Sequence, residues 1–179
     1  MRAILGIDPS INTTGYGVID VSAGKVRLLE AGVVRSRAKE LAHKVKEIYD
    51  GVREVIEIFS PDVMAMEELY TRYDRPKVAV QMGHARGCIC LAAAQSGIEV
   101  VSYEATKVKK LLTGSGRATK DQVQRAIKLE FGLEQYPDPP DVADALALAL
   151  CHLYHGKFGV HGVNNNPIRG HFPGNTVLR

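Results

Sequence analysis

The stretch Arg2-Ala3-Ile4-Leu5-Gly6-Ile7-Asp8 decides how the chain is read. It is apolar from Ala3 to Ile7, the mark of a strand buried on both faces, and it ends in a carboxylate. An ionised carboxylate closing a central strand needs a partner, and a metal ion is one such partner. Pro9-Ser10 follow, which leaves a second reading open: a turn in which Asp8 bonds its own backbone.

Working outward, Gly15 to Val21 and Val26 to Arg35 read as two further strands, parted by the turn residues Ser22, Ala23 and Gly24. The chain therefore opens with a three-stranded antiparallel meander. Apolar residues Leu41, Val45, Ile48, Val52, Val55, Ile56 and Phe59 recur at helical spacing over Lys39 to Phe59, and Ser60-Pro61 stops the run. A short strand over Asp62 to Glu68 follows. Next come a helix over Lys77 to Ser96 ended by Gly97, and a strand over Glu99 to Tyr103. Ala105 to Leu112 and Thr119 to Phe131 read as helices around Thr113-Gly114-Ser115-Gly116, and Asp141 to Tyr154 as the last helix. A meander followed by alternating helices and strands predicts an α/β fold, a mixed five-stranded sheet with helices on both faces.

Of 179 residues, 45% are hydrophobic and 24% charged, which suits one soluble domain with a substantial core. Beyond His155 the chain turns rich in glycine and asparagine and has no acidic residue, so residues 1–155 read as the domain and 156–179 as a flexible basic tail. No apolar stretch approaches the roughly 18 to 20 residues of a membrane span, and no signal segment is evident, so a cytoplasmic location is expected. Cys88, Cys90 and Cys151 lack a C-x-x-C pair and read as reduced thiols rather than zinc ligands or a disulfide framework.

Glu67 and Glu68 end the second apolar strand; neighbouring strand side chains face opposite ways, so only one of them can meet Asp8, and parity does not say which. Asp141 and Asp144, three apart, share one face of the first turn of the last helix. An acidic first turn is also a common capping device, and Asp138 stands near enough to serve in it. Together, carboxylates from two strand ends and a helix start make a hard oxygen set for Mg²⁺ or Mn²⁺. Two such ions about 4 Å apart would activate a water and stabilise the leaving oxygen of a phosphodiester.

The net charge of +3 is unevenly spread. Between Tyr103 and Lys128, Lys107, Lys109, Lys110, Arg117, Lys120, Arg125 and Lys128 face only Glu104 and Asp121, a patch suited to salt-dependent phosphate binding. The loop after Glu68 holds Tyr70, Arg72, Tyr73 and Arg75, a mixture that suits stacking on unpaired bases.

With these residues in place the sequence resembles the RuvC family of Holliday-junction resolvases. The likeness runs through Ile4 to Ser10, Thr14 to Ile19, Ala65-Met66-Glu67, Gly83 to Gly87, Lys109, Gly114-Ser115-Gly116, Lys120, Gln122-Val123-Gln124 and Asp141 to Ala147. It implies an RNase H-like fold and a Mg²⁺-dependent homodimeric endonuclease that nicks two opposing strands of a four-way DNA junction in recombination and repair. On that pattern Asp8, Glu67, Asp141 and Asp144 match the catalytic, metal-binding acids, with Glu67 preferred to Glu68 and Asp141 to Asp138. Tyr70 matches an aromatic acting at unpaired bases, and Lys109 and Lys120 match DNA-contacting lysines. The resemblance also implies RuvA and RuvB as partners and a preference for certain short sequences at the cut. Glu68 departs from the neutral residue expected there.

For the dimer, the helix over Lys77 to Ser96 offers a stripe of Val78, Met82, Ala85 and Ile89 as an interface. Two other classes compete. Gly6 to Ser10 with Thr14 to Val18 also looks like the first phosphate motif of actin-like ATPases and sugar kinases, although no second glycine-rich phosphate loop follows. An inactive junction-binding protein is the other alternative, and the full acidic set argues against it.

Overall fold

The computed structural model describes residues 3–22, 24–68 and 76–158. Tyr70 and Arg72, and the tail beyond Phe158, lie outside the described residues.

Ten elements follow in order: β1 (Ala3–Asp8), β2 (Thr13–Ser22), β3 (Lys25–Arg35), α1 (Leu41–Phe59), β4 (Val63–Glu67), α2 (Pro76–Gln95), β5 (Glu99–Tyr103), α3 (Ala105–Thr113), α4 (Lys120–Phe131) and α5 (Pro140–Phe158). The strands form one sheet in the order β3-β2-β1-β4-β5, antiparallel across the meander and parallel from β1 to β5. The expected mixed five-stranded sheet is therefore the one observed, and β1, the apolar opening run, lies at its centre.

Local chemistry sets the boundaries. Helix α1 ends where Ser60 takes a left-handed conformation (φ 44°) and donates its N–H to the Ile56 carbonyl at 2.8 Å, with Pro61 blocking continuation. Helix α4 starts on a reciprocal capping box, Thr119 accepting from the Gln122 N–H while the Gln122 side chain accepts from the Thr119 N–H.

The sheet separates two cores. On one face α1 and α2 cover Leu5, Ile7, Val18, Met64 and Met66 with Ile48, Val52, Ile56, Ala85 and Ile89. On the other, α5 covers Ile4, Ile19, Val63 and Ala65 with Ala143, Leu146, Ala147 and Leu150, and α3 and α4 pack against α5. The stripe expected to pair two copies is corrected in part: Ala85 and Ile89 are fully buried against the sheet and α1 and belong to the core, whereas Met82 is half-buried and Val78 is 48% exposed. Apolar residues run all around α2, so periodicity did not distinguish its inner side from its outer one. The side left open carries Val80 and Leu91, 59% and 51% exposed, with Gly83 and Gly87 between them. Among the described residues no helix is long and apolar enough to cross a membrane.

Candidate active site

The register of the sheet builds the site. Ile7 pairs with Met66 across β1 and β4, and continuing one residue sets Asp8 beside Glu67, which pairs in turn with Tyr103 on β5. Residues Ile4, Ala65 and Tyr103 belong to the core beneath α5, so by alternation Asp8 and Glu67 turn to that face as well. Glu68 points the other way and is exposed, which settles the parity question in favour of Glu67.

Helix α5 brings the other two acids because the sheet below it lacks side chains. A Cβ on Gly6 would lie 2.0 Å from the Ala145 carbonyl oxygen, and one on Gly15, the cross-strand partner of Asp8, 2.2 Å from the Asp141 carbonyl oxygen. On Gly17 it would lie 2.5 Å from Leu146. Backbone therefore rests on backbone, and the first turn of α5 comes down against the Asp8 row. These three glycines, read in sequence as strand residues and as a phosphate motif, form the seat of the helix. Glycine inside strands signals a close backbone approach, and that signal was available. The contacts with α5 account for these glycines without a bound phosphate.

The turn after β1 does not use Asp8. Thr14 organises it, its hydroxyl donating to the Ser10 carbonyl at 2.8 Å and accepting from the Ser10 N–H at 3.3 Å. Asp8 faces the other acids instead. Its carboxyl is pushed up to about 8, first by burial and then by the negative charges of Asp144, Glu67 and Asp141, against which Lys120 pulls downward. Glu67 is also raised, by burial and then Asp144, with Lys109 and Lys120 opposing. Lys120 is raised, chiefly by Asp144, whose Oδ2 lies 3.4 Å from its ammonium. Asp138, exposed ahead of the helix, takes no part.

The four expected carboxylates thus share one electrostatic site, with Lys109 and Lys120 at its rim. Arg117 is exposed in the α3–α4 connection, its N–H bonded to Ser115 Oγ at 3.3 Å, and nothing in the structure ties it to the acids. Among the described residues no three acidic, histidine or cysteine side chains converge closely enough to enclose an ion as they stand. The donor set nonetheless fits a divalent ion: all oxygen, partly buried, and so short of positive charge that the Asp8 carboxyl is pushed up to about 8.

Two structural residues escaped the sequence reading. Arg86 of α2 donates to the Glu67 carbonyl oxygen and, at 2.6 Å, to Ser102 Oγ, tying together the ends of β4 and β5 on the face opposite the acids. Tyr103, beside Glu67, is buried and its hydroxyl lies 2.8 Å from His152 Nδ1 of α5. Neither carries a local sequence signal of that role.

A central strand and its parallel neighbour ending in carboxylates, under a helix whose first turn adds two more, define an RNase H-like nuclease. Within that class the chain belongs to the RuvC family: the sequence model of crossover junction endodeoxyribonuclease RuvC matches residues 4–152. It is 49% identical over 166 residues to the crossover junction endodeoxyribonuclease RuvC of Rhodopirellula baltica, covering 92% of this chain and 89% of that one. With the same enzyme of Moorella thermoacetica it shares 46% over 150 residues, 83% of this chain and 89% of the other. The fold matches T. thermophilus RuvC in complex with a Holliday junction substrate at a TM-score of 0.82 and 36% identity, over 89% of this chain and 97% of that one.

Proposed function

We propose that this chain resolves four-way DNA junctions by paired phosphodiester cuts that depend on Mg²⁺, with Mn²⁺ as a substitute and two ions per site. The observation that carries the reading is the convergence of Asp8, Glu67, Asp141 and Asp144 on one partly buried site in a chain of this family. When bound, a divalent cation supplies charge to the phosphodiester and an activated water.

The chain's own residues do the rest. Asp8 and Glu67 hold the site from rigid strand ends, and Asp141 and Asp144 close it from the helix. Asp8, whose carboxyl is pushed up to about 8, would hold a bound cation as the carboxylate, giving up its proton to do so. Lys120, with its side chain 72% exposed and its ammonium 3.4 Å from Asp144 Oδ2, would be free to turn to a phosphate if a cation were held by Asp144. Lys109 and Arg117 extend the phosphate-holding rim, and Tyr70 and Arg72, on the loop after β4, meet the unpaired bases at the crossover.

Two equivalent cuts require two equivalent sites, which a two-fold homodimer supplies. The open side of α2, with Val80, Gly83, Gly87 and Leu91, is the face proposed for it. Family membership extends the proposal to cooperation with RuvA and RuvB in the cytoplasm.

The test is cleavage of a synthetic four-way junction against a linear duplex of the same arms, with and without Mg²⁺. Symmetric paired nicks in the junction alone, dependent on the ion, are expected. Equal cutting of both substrates contradicts junction selectivity, and cutting without a divalent ion contradicts the metal site.

A further inference from the structure

The acids are flanked on the β5 side by the lysines of α3 and α4, and the β3 side has a basic flank of its own. Residues 35–46 contain Arg35, Arg37, Lys39, Lys44 and Lys46 against a single carboxylate within the run, Glu40. Sheet register fixes where Arg35, the first of them, stands. Asp8 pairs with Gly15 and Gly15 with Val33, so Val33 lies two strands from Asp8, roughly 10 Å away. Val33 packs on the α5 side and Val34 on the other. Arg35, two residues beyond Val33, therefore turns to the face that carries Asp8. It ends β3 at the same end of the sheet as the acids.

The flank is held in place rather than trailing in solvent. Glu47 of α1 accepts from the Ser36 hydroxyl at 2.7 Å, the Arg37 N–H at 2.8 Å and the Ala38 N–H at 3.2 Å, and these bonds hold its carboxyl below the usual range. Ser36 N–H bonds the Asn12 carbonyl at 3.0 Å and Lys44 donates to the Asn12 side chain, so the flank is tied to the loop that follows Asp8.

Lys44 is bonded to Asn12 and Lys46 to Asp50, which leaves the first three cations of the run. Further along α1, Arg53 pairs with Glu57. Among the described residues Arg35, Arg37 and Lys39 are exposed and make no ion pair. The first turn of α1 holds no acidic residue; the nearby carboxylates are Glu40 at its N-cap and Glu47, whose oxygen is taken up by Ser36 and the backbone of Arg37 and Ala38.

We infer that Arg35, Arg37 and Lys39 form a second phosphate-binding flank, gripping the cut strand or its arm about three nucleotides from the carboxylates on the side opposite Lys109 and Lys120. A strand offers one phosphate about every 3.4 Å of helix axis, which matches the spacing across β2 and β3. The inference rests on the reading of the chain as a junction nuclease, and it places the scissile phosphate between two basic flanks rather than at the edge of one.

The experiment measures junction affinity of the full chain against salt concentration without divalent ion, so binding is read whether or not the wild type cuts. Wild type is compared with the double variant Arg35→Ala/Arg37→Ala and with the charge-matched control Lys25→Ala/Arg53→Ala. Lys25 lies at the far end of the sheet and Arg53 on the outer side of α1. Both arginines of the flank are exposed, and the bonds of Glu47 go to backbone and to Ser36, so the fold survives their loss. The flank variant should reduce the slope of log affinity against log salt by about one to two, with the control unchanged. An unchanged slope, or an equal loss in the control, overturns the inference. Failure of the wild type to cut in Mg²⁺ strikes the nuclease reading instead, and leaves the slope comparison standing.

Discussion

The two faces of the sheet are built from different residues for different ends. Under α1 and α2 the contact is made by large side chains, Leu5, Ile7, Met64 and Met66 against Ile48, Val52 and Ile56, as in an ordinary core. Under α5 it is made by Gly6, Gly15 and Gly17 against an alanine-rich helix whose Ala143, Ala145, Ala147 and Ala149 are at most 1% exposed. Large side chains would hold a helix about 10 Å from a sheet. Glycine against alanine lets the helix come nearer, and a carboxylate in its first turn then reaches one at a strand end. The close face carries the candidate site, and the thick face carries much of the remaining core.

Removing the charge that the close face concentrates should have the largest effect. Asp8→Asn is expected to lower junction cutting by more than the roughly 100-fold typical of a lost outer-shell metal contact, measured under single turnover with bound DNA. Activity near wild type would place the metal elsewhere.

Lifting the helix comes next. Gly15→Ala should lose cutting and about 3 kcal/mol of stability in urea, because the new methyl meets the backbone of Asp141. On the thick face Ile48→Val should cost about 1 kcal/mol and leave cutting per folded molecule unchanged. Equal effects on activity from the two variants would erase the distinction between the faces.

A pH effect should follow. The Asp8 carboxyl lies near 3.8 in the unfolded chain and about 8 in the folded one, so between those values the folded state holds a proton that the unfolded state lacks. The stability contributed by that proton is complete below the lower value and is lost as pH rises through the higher. The difference in melting temperature, Asp8→Asn minus wild type, should therefore grow from pH 5 to pH 8 in metal-free buffer and then level off. A constant difference would deny the burial of Asp8. The smallest effect expected is in the lysines at the rim: Lys109→Ala and Lys120→Ala should each reduce the salt slope of DNA affinity by about one or less.

Much of this was readable in advance, and the reasons differ from element to element. Helix α1 declared itself through apolar spacing and Ser60-Pro61, and β1 through an unbroken apolar run. The acids were recognisable as residues; strand parity did not tell Glu67 from Glu68, the family resemblance preferred Glu67, and the register with Met66 and Tyr103 turns that residue toward α5. The glycine seat was visible as letters but not as a seat, because a phosphate loop and a close helix contact both demand a missing side chain. Part of the interface stripe on α2, Ala85 and Ile89, was placed on the core side because apolar residues surround that helix.

The decisive measurement is a Mg²⁺ titration of thermal unfolding at pH 7.5, wild type beside Asp8→Asn. If the four carboxylates are a metal site that lacks its cation, Mg²⁺ raises the melting temperature of the wild type in proportion to the logarithm of its concentration above the dissociation constant. Asp8→Asn then starts from a higher metal-free melting temperature and responds little. An equal response in both proteins, or a metal-free variant less stable than wild type, would contradict the account.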